Sequence, residues 1–416
     1  MTRPSAADAA ESDPGASETI GEDTPLSQLT TMRVGGPAER ILVARSGDEL
    51  VRCATELWHG DEPWLLLGGG SNTVMNDEGF PGAVLLVRST GMEVVDDPEQ
   101  PEGRVRLRVQ AGHDWDALVA ACVERGWSGV EALSGIPGLA GAAPVQNIGA
   151  YGQELSDVLH SIEFLDRESG ELQRLAAEQL QLGYRDSAIK RGLEGVVLSI
   201  DLLLSAGAAV EPAAPAGRHA APIEAPAAGE ALSEPVRYAQ LAAALGVETG
   251  DRVPVRQLRD AVLRLRASKG MVLDPDDHDT WSAGSFFTNP IVTERFARTL
   301  PENAPRFPVG DDEPAPAVTT LEELAAGVPM RFPQPAPERR IKLSAAWLIE
   351  NSGVPRGFRL PGSGAAISSK HTLAITNRGG ATAAQVAELA RFVVQRVQQE
   401  FGVILAPEPN LYGLEL

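Results

Sequence analysis

Two glycine-dense stretches carry the strongest chemical signal in the chain. Gly68, Gly69, Gly70, Ser71 and Asn72 follow the apolar run Trp64–Leu67. Consecutive glycines leave backbone N–H groups open to an anion such as a pyrophosphate, and Ser71 and Asn72 add side-chain hydrogen bonds. A tight turn between strands would use the same residues. No Lys-Ser/Thr pair follows, so the run is not a P-loop, and it lacks the GxGxxG spacing of a dinucleotide fingerprint that opens a helix. The second stretch, residues 134–152, sets Gly135, Gly138, Gly141, Gly149 and Gly152 among small and apolar side chains. A glycine costs about 0.5–1 kcal/mol inside regular structure. The stretch therefore reads as a buried, irregular loop on which a large flat cofactor can lie, with Gln146 and Asn147 able to bond a ring edge or a phosphate. A purely structural loop is the alternative.

Two polar motifs offer groups that could act on a substrate. Arg185, in Tyr184-Arg185-Asp186-Ser187, can hold a carboxylate in its guanidinium fork. It could equally pair with Asp186 on the surface. Ser285 stands between Gly284 and the pair Phe286-Phe287 in the motif running from Ser282 to Pro290. Serine in such a place is commonly a turn former. No nucleophile elbow surrounds it, so a hydrolase triad is not indicated. His278 falls in the acidic run 274–279, which reads as a solvated loop.

The elements that must position these residues alternate between strand and helix at the start of the chain. Strands are predicted at 41–44, 64–67 and 83–87. A helix capped by Asp48 runs to Trp58, an order that implies an α/β unit. Val105, Leu107 and Val109 alternate with Arg104, Arg106 and Arg108, as in a half-exposed strand. Asp114 caps a helix reaching Glu124. Further strands are expected at 162–165, 196–204, 372–376 and 403–405, and further helices at 255–266 and 343–351. Thr382 and Gln385 form a capping box for a long helix with Val386, Leu389, Phe392, Val393 and Val397 on its apolar face. Residues 1–22 are acidic and poor in large apolar groups, as disordered segments are. Residues 206–235 are Ala/Pro-rich and read as a flexible insertion.

Bulk properties narrow the function. The net charge of −21 over 416 residues argues against a nucleic-acid surface. Cys53 and Cys122 lie in apolar helical patterns and read as free thiols, with no disulfide scaffold and no metal site expected. No apolar run approaches the roughly 20 residues that span a bilayer, and the acidic N-terminus does not resemble a signal peptide. A cytoplasmic protein that does not bind membranes is the expectation.

Taken together, these motifs resemble the UDP-N-acetylenolpyruvoylglucosamine reductase family. The run from Thr31 to Ala38, the glycine loop 68–72, the loop 134–152, Tyr184-Arg185-Asp186-Ser187, the motif 282–290 and the closing Pro407-Glu408 occur in the family's order, spanning about 24–413. The resemblance implies an α+β protein of the vanillyl-alcohol-oxidase flavin fold, with two lobes clasping FAD and a C-terminal α+β substrate domain. The boundaries it suggests are 23–90, joined by 409–416, for the first lobe, 91–267 for the second, and 268–408 for the substrate domain. It implies an enzyme that uses NADPH and bound FAD to reduce UDP-N-acetylglucosamine enolpyruvate to UDP-N-acetylmuramate in peptidoglycan synthesis. Since 33–37 contains no His, the flavin should be held non-covalently. Ser285 matches the family's proton donor, Arg185 its catalytic arginine and Glu408 its catalytic glutamate. Arg33, Gly68, Gly69, Gly70, Ser71, Asn72, Ser134, Gly135, Gly138, Gly141, Gln146, Asn147, Gly149 and Ala150 fall in the cofactor segments. Tyr184, Tyr238, Lys269 and Asn289 match substrate positions, although Ala239-Gln240 after Tyr238 departs from the family's Gly-Asp or Gly-Glu. A monomer is expected. An FAD oxidase of the same superfamily and a non-enzymatic nucleotide-sugar binder are the competing readings.

Overall fold

A computed structural model describes residues 20–21, 24–97, 100–206, 231–309 and 339–416. The acidic tail and most of the Ala/Pro tract thus lie outside the described residues.

The chain opens with a three-stranded parallel sheet, ordered Ala38–Ala44, Phe80–Val87, Trp64–Leu67. Every residue of the central strand from Gly82 to Val87 is buried, as expected for a parallel strand covered on both faces. The helix Gly47–His59 supplies one cover through Leu50, Cys53, Ala54 and Leu57. Each large apolar side chain so buried contributes roughly 1.5–3 kcal/mol. The helix is capped by Ser46, not Asp48: the Ser46 hydroxyl accepts from the Glu49 N–H at 3.2 Å. Asp48 and Glu49 fall in the first turn instead, where the helix dipole favours negative charge.

The second sheet is antiparallel, ordered Leu172–Ala176, Leu159–Asp166, Gly195–Ala206, Arg104–Gln110, Met92–Val94. Leu107 and Val109 point into a core with Trp115, Leu118 and Cys122 of the helix Trp115–Glu124, which Asp114 caps. The alternate face is less exposed than the sequence suggests. Asp201, fully buried, receives Arg106 at 2.8 Å, Arg108 at 2.9 Å and Arg174 at 3.1 Å. The helix Val255–Ser268 packs beside this unit through Leu258, Ala261 and Val262.

The last part holds the antiparallel sheet Ile291–Thr293, Arg340–Leu343, Arg306–Val309, the hairpin Ala365–Ile367 with Ile375–Asn377, and the helix Ala383–Phe401. Several boundaries move. Leu343 belongs to a strand, and Ser344 caps the helix Ala345–Asn351. The strand expected at 372–376 is Ile375–Asn377. Residues 403–405 form no strand, although Val403 and Leu405 are buried. The closing strand is Asn410–Tyr412, which pairs in parallel with Thr73–Met75 of the first part. The acidic run is not uniformly solvated: Asp279 is buried, accepting from Ser369 and pairing with Arg378.

Side-chain hydrogen bonds reinforce that ladder between the first and last parts. Asp77 accepts the backbone N–H groups of Ala383 at 2.7 Å and Ala384 at 3.0 Å, so a residue of one unit caps the long helix of the other. The Asn377 side chain donates to the carbonyls of Met32 and Arg33, and the Thr31 hydroxyl donates to that of Ser282. Among the described residues no helix is long and apolar enough to cross a membrane.

Candidate active site

A cavity of about 390 Å³ opens where the three parts meet. One wall is the loop 68–73, and the opposite wall is built from residues 136–149. The two walls approach each other closely at glycines. A Cβ on Gly69 would sit 3.0 Å from the Gly138 Cα, and one on Gly141 would sit 2.5 Å from the Ala111 Cβ. Gly70 has φ +61°, and a Cβ there would meet the Leu29 carbonyl at 2.1 Å.

Among the described residues, no chain acceptor takes the backbone N–H groups of Gly69, Gly70, Ser71 or Asn72. Successive free N–H groups on a glycine turn form an anion cradle, and an orphaned row of this kind calls for a ligand. With an apolar slot beyond it, this arrangement fits the diphosphate and flat ring of FAD.

The proposed reacting groups gather at the same cavity. Ser285 is presented by a turn whose flanking Phe286 and Phe287 are fully buried. The Glu408 N–H donates to the Phe286 carbonyl at 2.9 Å, so backbone pairing sets Glu408 beside the serine turn. The Asn72 amide spans the site, donating to the Gln146 side chain at 3.2 Å and the Glu408 carbonyl at 3.3 Å. Arg185 resolves its two sequence readings: Asp186 pairs with Arg191, and Arg185 turns inward. Its Nε lies 3.3 Å from the Glu408 carboxylate, and it donates to the Gly149 carbonyl at 3.1 Å.

Electrostatics favour an anionic guest. The charged residues lining the cavity are Arg185, Lys190, Arg266 and Glu408. Burial pushes the Glu408 carboxyl above the usual carboxylate range, while Arg185 and Lys190 oppose that rise. Desolvation also pushes Arg266 down to about 10. Among the described residues its Nε has no hydrogen-bond partner, while a terminal nitrogen donates to the Met271 carbonyl at 2.9 Å.

Gly68, Gly69, Gly70, Ser71, Asn72, Gly138, Gly141, Gln146, Gly149, Arg185, Ser285 and Glu408 therefore share one cavity. The other candidates stand outside its walls. Asn147, buried at φ +44°, spends its amide on Glu154, Ser156 and Gly183, so it shapes the loop from within. Ser134 is buried and donates to the Glu131 carbonyl, and the Gly135 N–H donates to Asp116. Ala150 pairs with Gln153 in a short hairpin. Arg33 stacks on Trp281, 4.0 Å from the ring centre. Tyr184 meets Asn289 at 3.5 Å under Lys342. Tyr238 packs edge-on against Tyr151, while Lys269 bonds Gln240 at 2.9 Å. Lys190 and Arg266 were not singled out from sequence. Each is one cation among neighbouring cations, Lys190 beside Arg191 and Arg266 on a helix that also carries Arg256, Arg259 and Arg264, with no motif to mark it.

A glycine-walled cavity with an open anion cradle, on two sheets of this kind, defines an FAD-dependent oxidoreductase. Residues 38–176 match the FAD binding domain, and residues 274–412 match the C-terminal domain of UDP-N-acetylenolpyruvoylglucosamine reductase. The reductase of that name from Leifsonia xyli is 58% identical, covering 94% of this chain and 98% of its own. The one from Saccharopolyspora erythraea is 46% identical over 97% and 98%. The crystal structure of the Thermus caldophilus UDP-N-acetylenolpyruvylglucosamine reductase superposes with a TM-score of 0.54 at 24% identity, covering 94% of this chain and 97% of its own, and so shares the fold. The chain belongs to the UDP-N-acetylenolpyruvoylglucosamine reductase family.

Proposed function

We propose that the enzyme reduces UDP-N-acetylglucosamine enolpyruvate to UDP-N-acetylmuramate in the cytoplasm, with NADPH as electron source, as a monomer. The observation that carries this reading is the convergence of Ser285, Arg185 and Glu408 on one cavity that also holds the anion cradle. Residues 23–90 with 409–416, and 91–267, are read as the two flavin lobes, and 268–408 as the substrate domain. The N–H groups of 69–72 would hold the FAD diphosphate non-covalently, and the loop 138–149 would flank the ring. Bound FAD supplies the redox couple that links NADPH to the terminal carbon of the enolpyruvyl group.

The chain's own residues then manage charge and a proton. Reduction at the terminal carbon places an electron pair on the neighbouring carbon, delocalised into the carboxylate as an enediolate. Arg185 stabilises that charge, and Glu408 in its protonated form donates a hydrogen bond to it. The Ser285 hydroxyl delivers the proton to the carbon, a transfer governed by position more than by acidity. Tyr184 and Asn289 are assigned to the lining of the substrate site, Lys269 to the neighbourhood of the nucleotide's diphosphate, and Tyr238 to a loop that closes over the substrate.

An anaerobic titration tests the reading. The purified protein should be yellow, should bleach with NADPH, and should regain its colour when the enolpyruvyl nucleotide is added. A colourless protein, or a reduced flavin that only oxygen reoxidises, would overturn it.

A further inference from the structure

Arg185 adopts φ +52°, a left-handed backbone that an arginine takes up only under constraint. Such a conformation costs on the order of 1–3 kcal/mol and persists where neighbours over-determine it. The constraints are visible. Gly183 and Asp186 exchange backbone hydrogen bonds at 3.0 and 3.2 Å around the turn. The Ser187 hydroxyl donates to the Val145 carbonyl at 2.6 Å and accepts the Lys190 N–H at 3.0 Å, pinning the turn to the cofactor loop. The Lys190 ammonium then reaches back and donates to the Arg185 carbonyl itself at 2.9 Å.

We propose that Lys190 is a positioning residue for the reductive step, fixing the Arg185 backbone so that the guanidinium is delivered to the Gly149 carbonyl and the Glu408 carboxylate. The proposal rests on the function assigned to Arg185 above. The geometry favours a lysine here for two reasons. Its flexible stem can return to a carbonyl five residues earlier, and its charge strengthens that bond. Lys190 thus acts through the Arg185 backbone, which its ammonium holds by the carbonyl.

The test uses flavin-loaded enzyme and rapid mixing, with the two half-reactions observed separately. Lys190→Met should slow flavin reduction by NADPH far less than reoxidation by the nucleotide. It should slow reoxidation by the enolpyruvyl nucleotide about 10- to 100-fold, the scale expected when a group is misplaced by about 1 Å. Lys190→Arg, which keeps charge and donor, should recover most of that rate. In an Arg185→Gln background, Lys190→Met should cause no further loss, because its effect runs through Arg185. Flavin content and thermal midpoint, read on every variant, identify misfolding. A full additional loss in the Arg185→Gln background, equal slowing of both half-reactions, or a Lys190→Arg variant as slow as Lys190→Met would overturn the proposal. Failure of the wild-type reduced enzyme to react with the nucleotide would instead remove the proposed function, and this role with it.

Discussion

The Arg185 guanidinium and the Glu408 carboxylate face each other across 3.3 Å, one from the second sheet unit and the other from the segment that returns to the first. Burial raises the Glu408 pKa and Arg185 opposes the rise, so the pair is poised rather than locked. An arriving substrate carboxylate competes for Arg185 and adds negative charge, and both changes favour protonated Glu408. If the protonated form is the active one, substrate reduction should fall as pH rises through the Glu408 pKa. Glu408→Gln should slow that step by about 10²–10³-fold and remove the alkaline limb. Pre-steady-state rates across pH, for wild type and variant, check both parts.

Ser285→Ala should leave flavin reduction by NADPH nearly intact and slow substrate reduction by about 10²–10⁴-fold, the range attributed to a positioned proton donor. Stopped-flow measurement of the two half-reactions separates this from general damage. Equal losses in both would assign Ser285 to structure alone.

Gly70→Ala should empty the enzyme of flavin. The new Cβ would meet the Leu29 carbonyl at 2.1 Å from a backbone at φ +61°, so the loop carrying the anion cradle must move. The flavin-to-protein absorbance ratio after purification reports the loss, and a fully loaded variant would show that the cradle is not where FAD is held.

Asp201→Asn should destabilise the fold by about 3–5 kcal/mol, because it leaves Arg106, Arg108 and Arg174 converging on a neutral group. Burial alone would raise the Asp201 pKa, but the hydrogen bonds from Arg108 and Arg106 outweigh it and hold the pKa below the ordinary carboxylate range. A depressed pKa contributes stability above the unfolded-state value that is lost as pH falls through the folded-state value. The gap between wild type and variant should therefore be full at neutral pH and close as the medium is acidified below about 4. Denaturant melts at several pH values measure it.

Asp77→Ala should cost about 0.5–2 kcal/mol as a lost helix cap. It should also raise hydrogen exchange at the N-terminal turn of the helix Ala383–Phe401. An unchanged exchange rate there would show that Thr382 and Gln385 suffice.

Much of this arrangement was legible in the residues. The strand at Trp64–Leu67, the helix capped by Asp114 and the capping box at Thr382 could be read because each rests on chemistry within a few neighbouring positions. The glycine loops were legible as ligand walls because so many absent side chains have few other uses. What could not be read depends on distant partners. Ser46 rather than Asp48 caps its helix through a difference of one hydrogen bond. The arginines at 106 and 108 looked solvent-facing because Asp201 lies far along the chain. Residues 403–405 carry a strand-like apolar pattern, but they bury Val403 and Leu405 without joining a sheet and leave pairing to Asn410–Tyr412. Asn147 looked like a ligand contact because nothing local shows that Glu154, Ser156 and Gly183 would claim its amide.

The parallel ladder between Asn410–Tyr412 and Thr73–Met75 has a consequence for biogenesis. Glu408 is seated by residues that leave the ribosome hundreds of codons after the loop it completes, so the chamber cannot close on a nascent chain before Tyr412 clears the exit tunnel. A polypeptide that stops short of Glu408 would carry both glycine walls and lack the carboxylate that faces them.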